Sequence, residues 1–171
     1  KPGSGDPIVS MRMDIVLGCF WVTKIMSVRE AGAELKVYPS PNAAIMAYDF
    51  DELTLQEPIK LVGGKESKYG ELSGKIFETT VGRILFNSTL PGDFPFMNKE
   101  MTGGEMNEIV NHILDKYPMD EVPDILDKIK SFGFKFASKS GVTWGLDDVM
   151  VPAAKKGIID AAWKKTHELE D

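Results

Sequence analysis

Cysteine and histidine are scarce in this sequence. Its 171 residues include a single cysteine, Cys19, and two histidines, His112 and His167. One thiol excludes an internal disulfide framework and a zinc site built from several cysteines, and it favours a reducing compartment. Nucleophilic catalysis needs a base that is itself oriented by a third group, and both histidines fall in predicted helices without such partners. We therefore expect no catalytic histidine, and we expect Cys19 to be a buried thiol on an apolar helix.

Long apolar runs and an excess of positive charge are also absent. The run over residues 15–22 is interrupted by Gly18 and is far shorter than the roughly 20 residues that a membrane span requires. Twenty basic and 26 acidic residues give a net charge of −6, which argues against a free-standing domain that grips nucleic acid by neutralising phosphates. That argument does not apply to a piece of a larger assembly. The length suits one domain, or one domain with part of a second.

The two ends of the sequence are unlike those of a complete domain. The first residue is Lys1 rather than Met, and residues 1–6 lack the apolar core of a signal peptide. Apolar residues recur at helical spacing as far as Leu169, and no Gly, Asn or Pro ends this helix before Asp171. We therefore interpret the sequence as an excerpt from a longer polypeptide whose last helix is cut.

Hydrophobic periodicity predicts an α+β fold with a small β-rich middle, flanking helices and a truncated long helix at the end. Helices are predicted over 11–23, over 42–48 with Ser40 as its N-cap, and over 81–89 with Thr79 or Thr80 as its N-cap. Further helices are predicted from a capping box at 102–105, from 120 to a C-cap at Gly133 with room for a turn or two more through 134–138, and from 152 onward. Short strands are predicted over 35–38, 53–61 and 75–79, with an exposed hairpin loop over 63–73 and an extended piece over 141–145. Pro58 cannot donate a ladder hydrogen bond, so its strand is expected at an edge or a bulge.

Three short motifs contain residue types that can form a chemical site. The sequence Gly63-Gly64-Lys65-Glu66 lacks the spacing of a phosphate loop, and we interpret it as a turn. Asp49 and Asp51 are alternating carboxylates that can hold Mg²⁺, but aspartates are also common in the turns that end helices. Asp147-Asp148 raises the same question just ahead of the last helix. We expect Asp49 and Asp51 to form the turn that ends a helix, Asp147 and Asp148 to have loop and helix-entry roles, and no metal or cofactor in this segment.

Three blocks of sequence together carry a specific resemblance. The first runs from Asp6-Pro-Ile-Val through Met13-Asp-Ile-Val-Leu-Gly to Thr23, and the second is Glu78-Thr-Thr-Val-Gly-Arg-Ile-Leu-Phe-Asn87. The third is Leu126-Asp-Lys-Ile-Lys-Ser-Phe-Gly-Phe134, followed by Ser140-Gly-Val-Thr143 and the Asp147-Asp148 pair. In this order the blocks resemble the bacterial β′ (largest) subunit of DNA-directed RNA polymerase, and the resemblance covers nearly the whole chain.

The resemblance implies a place within a larger multidomain subunit. Residues 1–145 would form a pore-domain-like segment bordering the secondary channel through which nucleotides enter, and residues 146–171 would begin the funnel or rim helices. In that family the aspartate loop that holds catalytic Mg²⁺ precedes this segment and the trigger loop follows it. The resemblance thus implies a nucleotidyltransferase complex whose Mg²⁺ is bound outside this chain, and a segment that is inactive alone. Met13 stands where the family commonly has glutamine, so any polar contact of that glutamine is missing here.

The resemblance also implies a set of channel-lining or nucleotide-proximal candidates, none of them catalytic: Arg12, Arg83, Asn87, Lys139, Ser140, Asp147 and Asp148. The planar guanidinium of Arg83 suits either an internal carboxylate or a nucleotide phosphate. Lys128, Lys130, Lys135 and Lys139 form either a basic channel wall or a solvated helix face.

The implied partners are the rest of β′ and the β subunit, with nucleoside triphosphates and DNA or RNA reached through the full complex. Transcription factors that enter the secondary channel are further implied partners, and the implied location is cytoplasmic and nucleoid-associated, away from membranes. The alternative is a stand-alone, polymerase-derived interaction module that binds transcription factors or other subunits.

Overall fold

The computed structural model describes residue 3 and residues 7–26, 34–143 and 145–170. These residues belong to two compact units, Lys1–Gly141 and Val142–Asp171. Asp6, Trp144 and Asp171, on which parts of the sequence interpretation rest, lie outside the described residues. The described chain is α+β with a small three-stranded sheet, as predicted.

The first unit alternates short helices with the three strands. In chain order its elements are α1 (Asp14–Thr23), β1 (Val37–Tyr38), α2 (Pro41–Asp49), β2 (Pro58–Val62), a 3₁₀ helix (Ser67–Leu72), β3 (Ile76–Thr80), α3 (Val81–Asn87), α4 (Gly103–Lys116) and α5 (Val122–Ser140). Three helices begin at the predicted caps, because the hydroxyls of Ser40, Thr80 and Thr102 each accept a hydrogen bond from the backbone N–H three residues later. Local sequence therefore sets where these helices start.

The sheet has the strand order β1-β2-β3, with β1 parallel and β3 antiparallel to β2. The prediction that Pro58 lies in an edge strand is wrong, because β2 is the central strand. Pro58 is the first residue of β2, and β1 pairs only with Lys60 and Leu61, so no ladder bond to β1 is required from the proline. Leu53, Leu55, Ile59 and Leu61 are all buried, but only Ile59 and Leu61 lie in β2, so the strand predicted over 53–61 is confirmed only from Pro58 onward.

The connection between β2 and β3 is more ordered than predicted. The sequence indicated an exposed hairpin loop, but Tyr69 in its 3₁₀ helix is only 5% exposed. The Tyr69 ring stacks on Phe96, with 5.2 Å between centroids, and Lys68 Nζ donates to the backbone oxygen of Leu90 at 3.3 Å. The prediction failed because residues far along the chain cover this polar, glycine-containing segment.

Two hydrophobic clusters form the core of the first unit. One is built around Phe86, Met106 and Ile129, together with further apolar residues of α4 and α5. The other lies against the sheet and includes Val22, Ile59 and Val81. Phe132 of α5 contacts both clusters. The long helix α5 therefore links the two parts of the core.

Helices α1 and α5 cross at a pair of glycines. A Cβ atom on Gly18 would lie 1.9 Å from the backbone oxygen of Gly133, and a Cβ on Gly133 would lie 2.6 Å from that of Ile15. The prediction that Gly133 ends α5 is therefore wrong: it lies within the helix and permits the close approach of α1. The helix continues to Ser140 and ends at Gly141, which adopts a left-handed φ of 64°.

Replacing Gly133 with alanine is expected to lower the free energy of unfolding by about 1–3 kcal/mol, the usual cost of overpacking a fitted contact. The methyl group would clash with backbone atoms of α1, which cannot move as a side chain would. Urea denaturation followed by circular dichroism measures the change. The matched control is Gly104→Ala at the start of α4, where a Cβ meets nothing nearer than 3.8 Å, and this variant should be neutral or slightly more stable. Equal destabilisation of both variants would contradict the proposed crossing.

The second unit contains a 3₁₀ helix (Leu146–Asp148) and α6 (Lys155–Glu170). The final helix is thus confirmed, although it begins after the predicted Pro152. The extended piece predicted over 141–145 is not a strand in its described residues. Large apolar side chains of this unit are exposed, among them Leu146, Met150 and Trp163. Within the described part of the chain, no helix has both the length and the apolar character of a membrane span.

Candidate functional site

Arg83 lies at the centre of a buried polar cluster, and it is only 7% exposed. Its Nε donates to the backbone oxygen of Thr23 at 3.0 Å, and its Nη1 donates to the backbone oxygen and Oδ1 of Asn98 at 3.1 and 3.2 Å. Burial lowers the pKa of the guanidinium, and the charges of Glu100 and Glu78 oppose that shift. The hydrogen bonds of Arg83 within the described residues go to neutral oxygens, so a carboxylate acts on it only through longer-range charge.

Asn87, one turn after Arg83 on α3, is 1% exposed, and its side-chain carboxamide both donates and accepts hydrogen bonds. Its Nδ2 donates to the backbone oxygens of Arg83 and Met97, at 2.8 and 2.9 Å. Its Oδ1 accepts a hydrogen bond from the backbone N–H of Met97 at 2.7 Å. The side chain of Asn87 therefore replaces the strand partner that Met97 lacks.

Thr23 connects the end of α1 to the same region. Its hydroxyl donates to the backbone oxygen of Cys19 at 2.7 Å and accepts from the backbone N–H of Met101 at 2.9 Å. We call Thr23, Arg83, Asn87 and Asn98 the Arg83 cluster. This cluster fastens the irregular segment 97–101 to α1 and α3.

Replacing Asn87 with alanine is expected to lower the free energy of unfolding by about 2–4 kcal/mol, because the part-buried backbone groups of Met97 and the buried backbone oxygen of Arg83 would lose a partner. Chemical denaturation monitored by tryptophan fluorescence measures the change. Asn42→Ala, on the exposed surface of α2, is the matched control and should change stability by less than about 0.5 kcal/mol. Similar values for the two variants would show that the Asn87 amide contributes little.

Arg12 lies on the surface, just before α1. Its Nε donates to Ser10 Oγ at 2.8 Å, and its side chain lines a polar cleft of about 370 Å³ with residues of α4. Met13, at the position where the polymerase resemblance led us to expect glutamine, is 86% exposed and has a φ of 48°. Arg12 and Met13 thus present their side chains outward, unlike Arg83 and Asn87.

Lys139 and Ser140 lie in the last turn of α5. Ser140 Oγ donates to the backbone oxygen of Ala137 at 2.7 Å. Lys139 Nζ lies 5.7 Å from the centroid of the Phe136 ring, and Lys135 Nζ lies 5.6 Å from the same ring. Lys128 and Lys130 of the same helix are exposed as well. This exposure fits a basic channel wall and a solvated helix face equally.

Asp147 and Asp148 belong to the second unit, where both are exposed. Asp148 Oδ2 accepts a hydrogen bond from the backbone N–H of Gly145 at 2.7 Å. Asp148 therefore stabilises the turn ahead of α6, which is the loop role expected from the sequence.

Asp49 and Asp51 occupy the end of α2. Asp51 has a left-handed φ of 57°, and its backbone N–H donates to the oxygen of Tyr48 at 3.0 Å. The N–H of Glu52 donates to the oxygen of Ala47 at 2.8 Å, which completes a helix C-terminal motif. The described residues contain no group of three or more His, Cys, Asp or Glu side chains arranged to hold a metal ion. The pair has the helix-ending role that the sequence favoured.

Cys19 is fully buried on α1, as expected. Burial raises the pKa of its thiol to about 12. His112 is exposed on α4, and its ring lies 4.8 Å from that of Phe94. Neither environment activates a nucleophile, because a reactive cysteine needs a lowered pKa and a partly exposed sulfur.

Because Cys19 is buried, its ionisation at alkaline pH is expected to lower the free energy of unfolding. In the unfolded chain it ionises near its ordinary pKa of 9.0, whereas in the folded chain it stays protonated to about 12. The contribution of the protonated thiol to the free energy of unfolding is complete below pH 9.0 and is lost as the pH rises towards 12. In Cys19→Ala, the fall in unfolding free energy between about pH 8 and 10.5 should be smaller by about 1–2 kcal/mol. Urea titrations at both pH values measure this difference, and equal falls would contradict the burial effect.

Comparison with known proteins identifies the family. The family described as RNA polymerase Rpb1, domain 3, matches residues 1–149. The chain belongs to this family. The resemblance to RNA polymerase found in the three sequence blocks is thereby confirmed.

The relatives of this Rpb1 domain 3 chain include proteins named DNA-directed RNA polymerase subunit beta'. The Mycobacteroides abscessus protein is 35% identical over 190 residues, and the match covers 99% of this chain and 14% of that protein. The Streptomyces avermitilis protein is 35% identical over 189 residues, covering 100% of the chain and 14% of that protein. The Renibacterium salmoninarum protein is 38% identical over 168 residues, covering 93% and 13%. The chain thus spans about 14% of the length of the first two relatives, and it corresponds to a segment of β′.

Sequence reasoning identified part of this Rpb1 domain 3 site. It singled out Arg83 and Asn87, and it predicted that Thr79 or Thr80 caps α3; Thr80 does so. It missed Thr23 and Asn98, because neither lies at a spacing that marks it as a partner of Arg83. The only signal for Thr23 was its place at the end of an apolar helix, where a buried hydroxyl needs a hydrogen-bond partner.

Proposed function

We propose that this chain serves as the pore-domain segment of the largest subunit of a DNA-dependent RNA polymerase. In this role it lines the secondary channel for nucleotide entry and supports the active centre during transcription. The match of residues 1–149 to RNA polymerase Rpb1, domain 3, carries the proposal.

The geometry of the acidic residues favours a structural role for this chain over a catalytic one. Two-metal phosphoryl transfer needs several convergent carboxylates, whereas the acidic pair Asp49 and Asp51 ends a helix and Asp148 binds a backbone N–H. We therefore assign the catalytic Mg²⁺ to parts of the polymerase outside this chain, and we expect no RNA synthesis by the chain alone. The Arg83 cluster and the α1–α5 crossing supply rigidity to the wall.

The candidate residues divide into two groups by exposure. Arg12, Lys139, Asp147 and Asp148 are exposed, and we assign them to channel-lining positions, with Ser140 beside Lys139. Arg83 and Asn87 are buried and act by positioning the segment 97–101. A basic surface on α5 would raise the local concentration of anionic nucleotides.

The second unit fits the beginning of the funnel or rim helices, which we assign to residues 146–171. Its exposed Ile158 and Trp163 would be covered by other parts of the subunit, since a single helix buries little apolar surface by itself. The partners in this proposal are the rest of β′ and the β subunit, with nucleoside triphosphates, DNA and RNA reached through the complex. Transcription factors would approach through the secondary channel, and the complex would act in the cytoplasm at the nucleoid.

A hybrid polymerase tests the proposal. The chain replaces the matching segment of the Mycobacteroides abscessus β′ subunit, and the hybrid is co-expressed with the other subunits and assayed for RNA synthesis with Mg²⁺. We expect the hybrid to co-purify with β and to synthesise RNA. Asn87→Ala should impair assembly, whereas the exposed Asn42→Ala should not. A hybrid subunit that folds but does not bind β would contradict the proposal, and binding of transcription factors by the isolated chain would then favour the interaction-module alternative.

A further inference from the structure

We draw no further inference here: the strongest candidate, the open groove between the end of α3 and the first half of α5 that is lined by Ser88, Lys128 and Phe132, carries no proposal because nothing in the structure shows what covers it.

Discussion

The buried guanidinium of Arg83 is the constraint around which the first unit is arranged. Removing a charged group from water costs several kcal/mol unless hydrogen bonds replace the lost hydration. Arg83 meets this requirement with the backbone oxygen of Thr23 at the end of α1 and with two oxygens of Asn98. Its position therefore fixes three stretches of chain that are far apart in sequence.

The same stretches are held by close backbone contacts. A Cβ on Gly82, the residue before Arg83, would lie 2.0 Å from the backbone oxygen of Val22, so α3 and the end of α1 meet without side chains between them. One turn earlier along α1, Gly18 meets Gly133 of α5. Just before α1, Met11 packs in the same cluster as Met106 and Val110 of α4, and Arg12 lines a cleft between this segment and α4.

The two units differ in how much of their own surface they cover. The first has a continuous core that includes Phe86, Ile109 and Ile129, all at most 1% exposed. The second leaves Leu146 at 93% and Met150 at 86% exposure. An exposed apolar surface of this kind usually marks a contact with another protein surface, which agrees with the proposed place of the chain inside a large polymerase subunit.

Local signals in the sequence were sufficient for three of the helix starts and for the family. Ser40, Thr80 and Thr102 cap helices because a side-chain oxygen can reach a free N–H three residues away, and no distant residue is needed. The ordered blocks around Thr23, Arg83 and Phe134 were likewise sufficient for the polymerase resemblance, since they depend on residue identity alone.

Tertiary structure decided the features that depend on distant parts of the chain. Gly133 has the sequence signature of a helix end, yet it lies inside α5 because α1 occupies the space where a Cβ would be. Pro58 lies in the central strand because β1 pairs only beyond it. Arg83 donates to Thr23 and Asn98, which no spacing marks, because a buried cation binds the acceptors that the fold brings near it, whatever their separation in sequence.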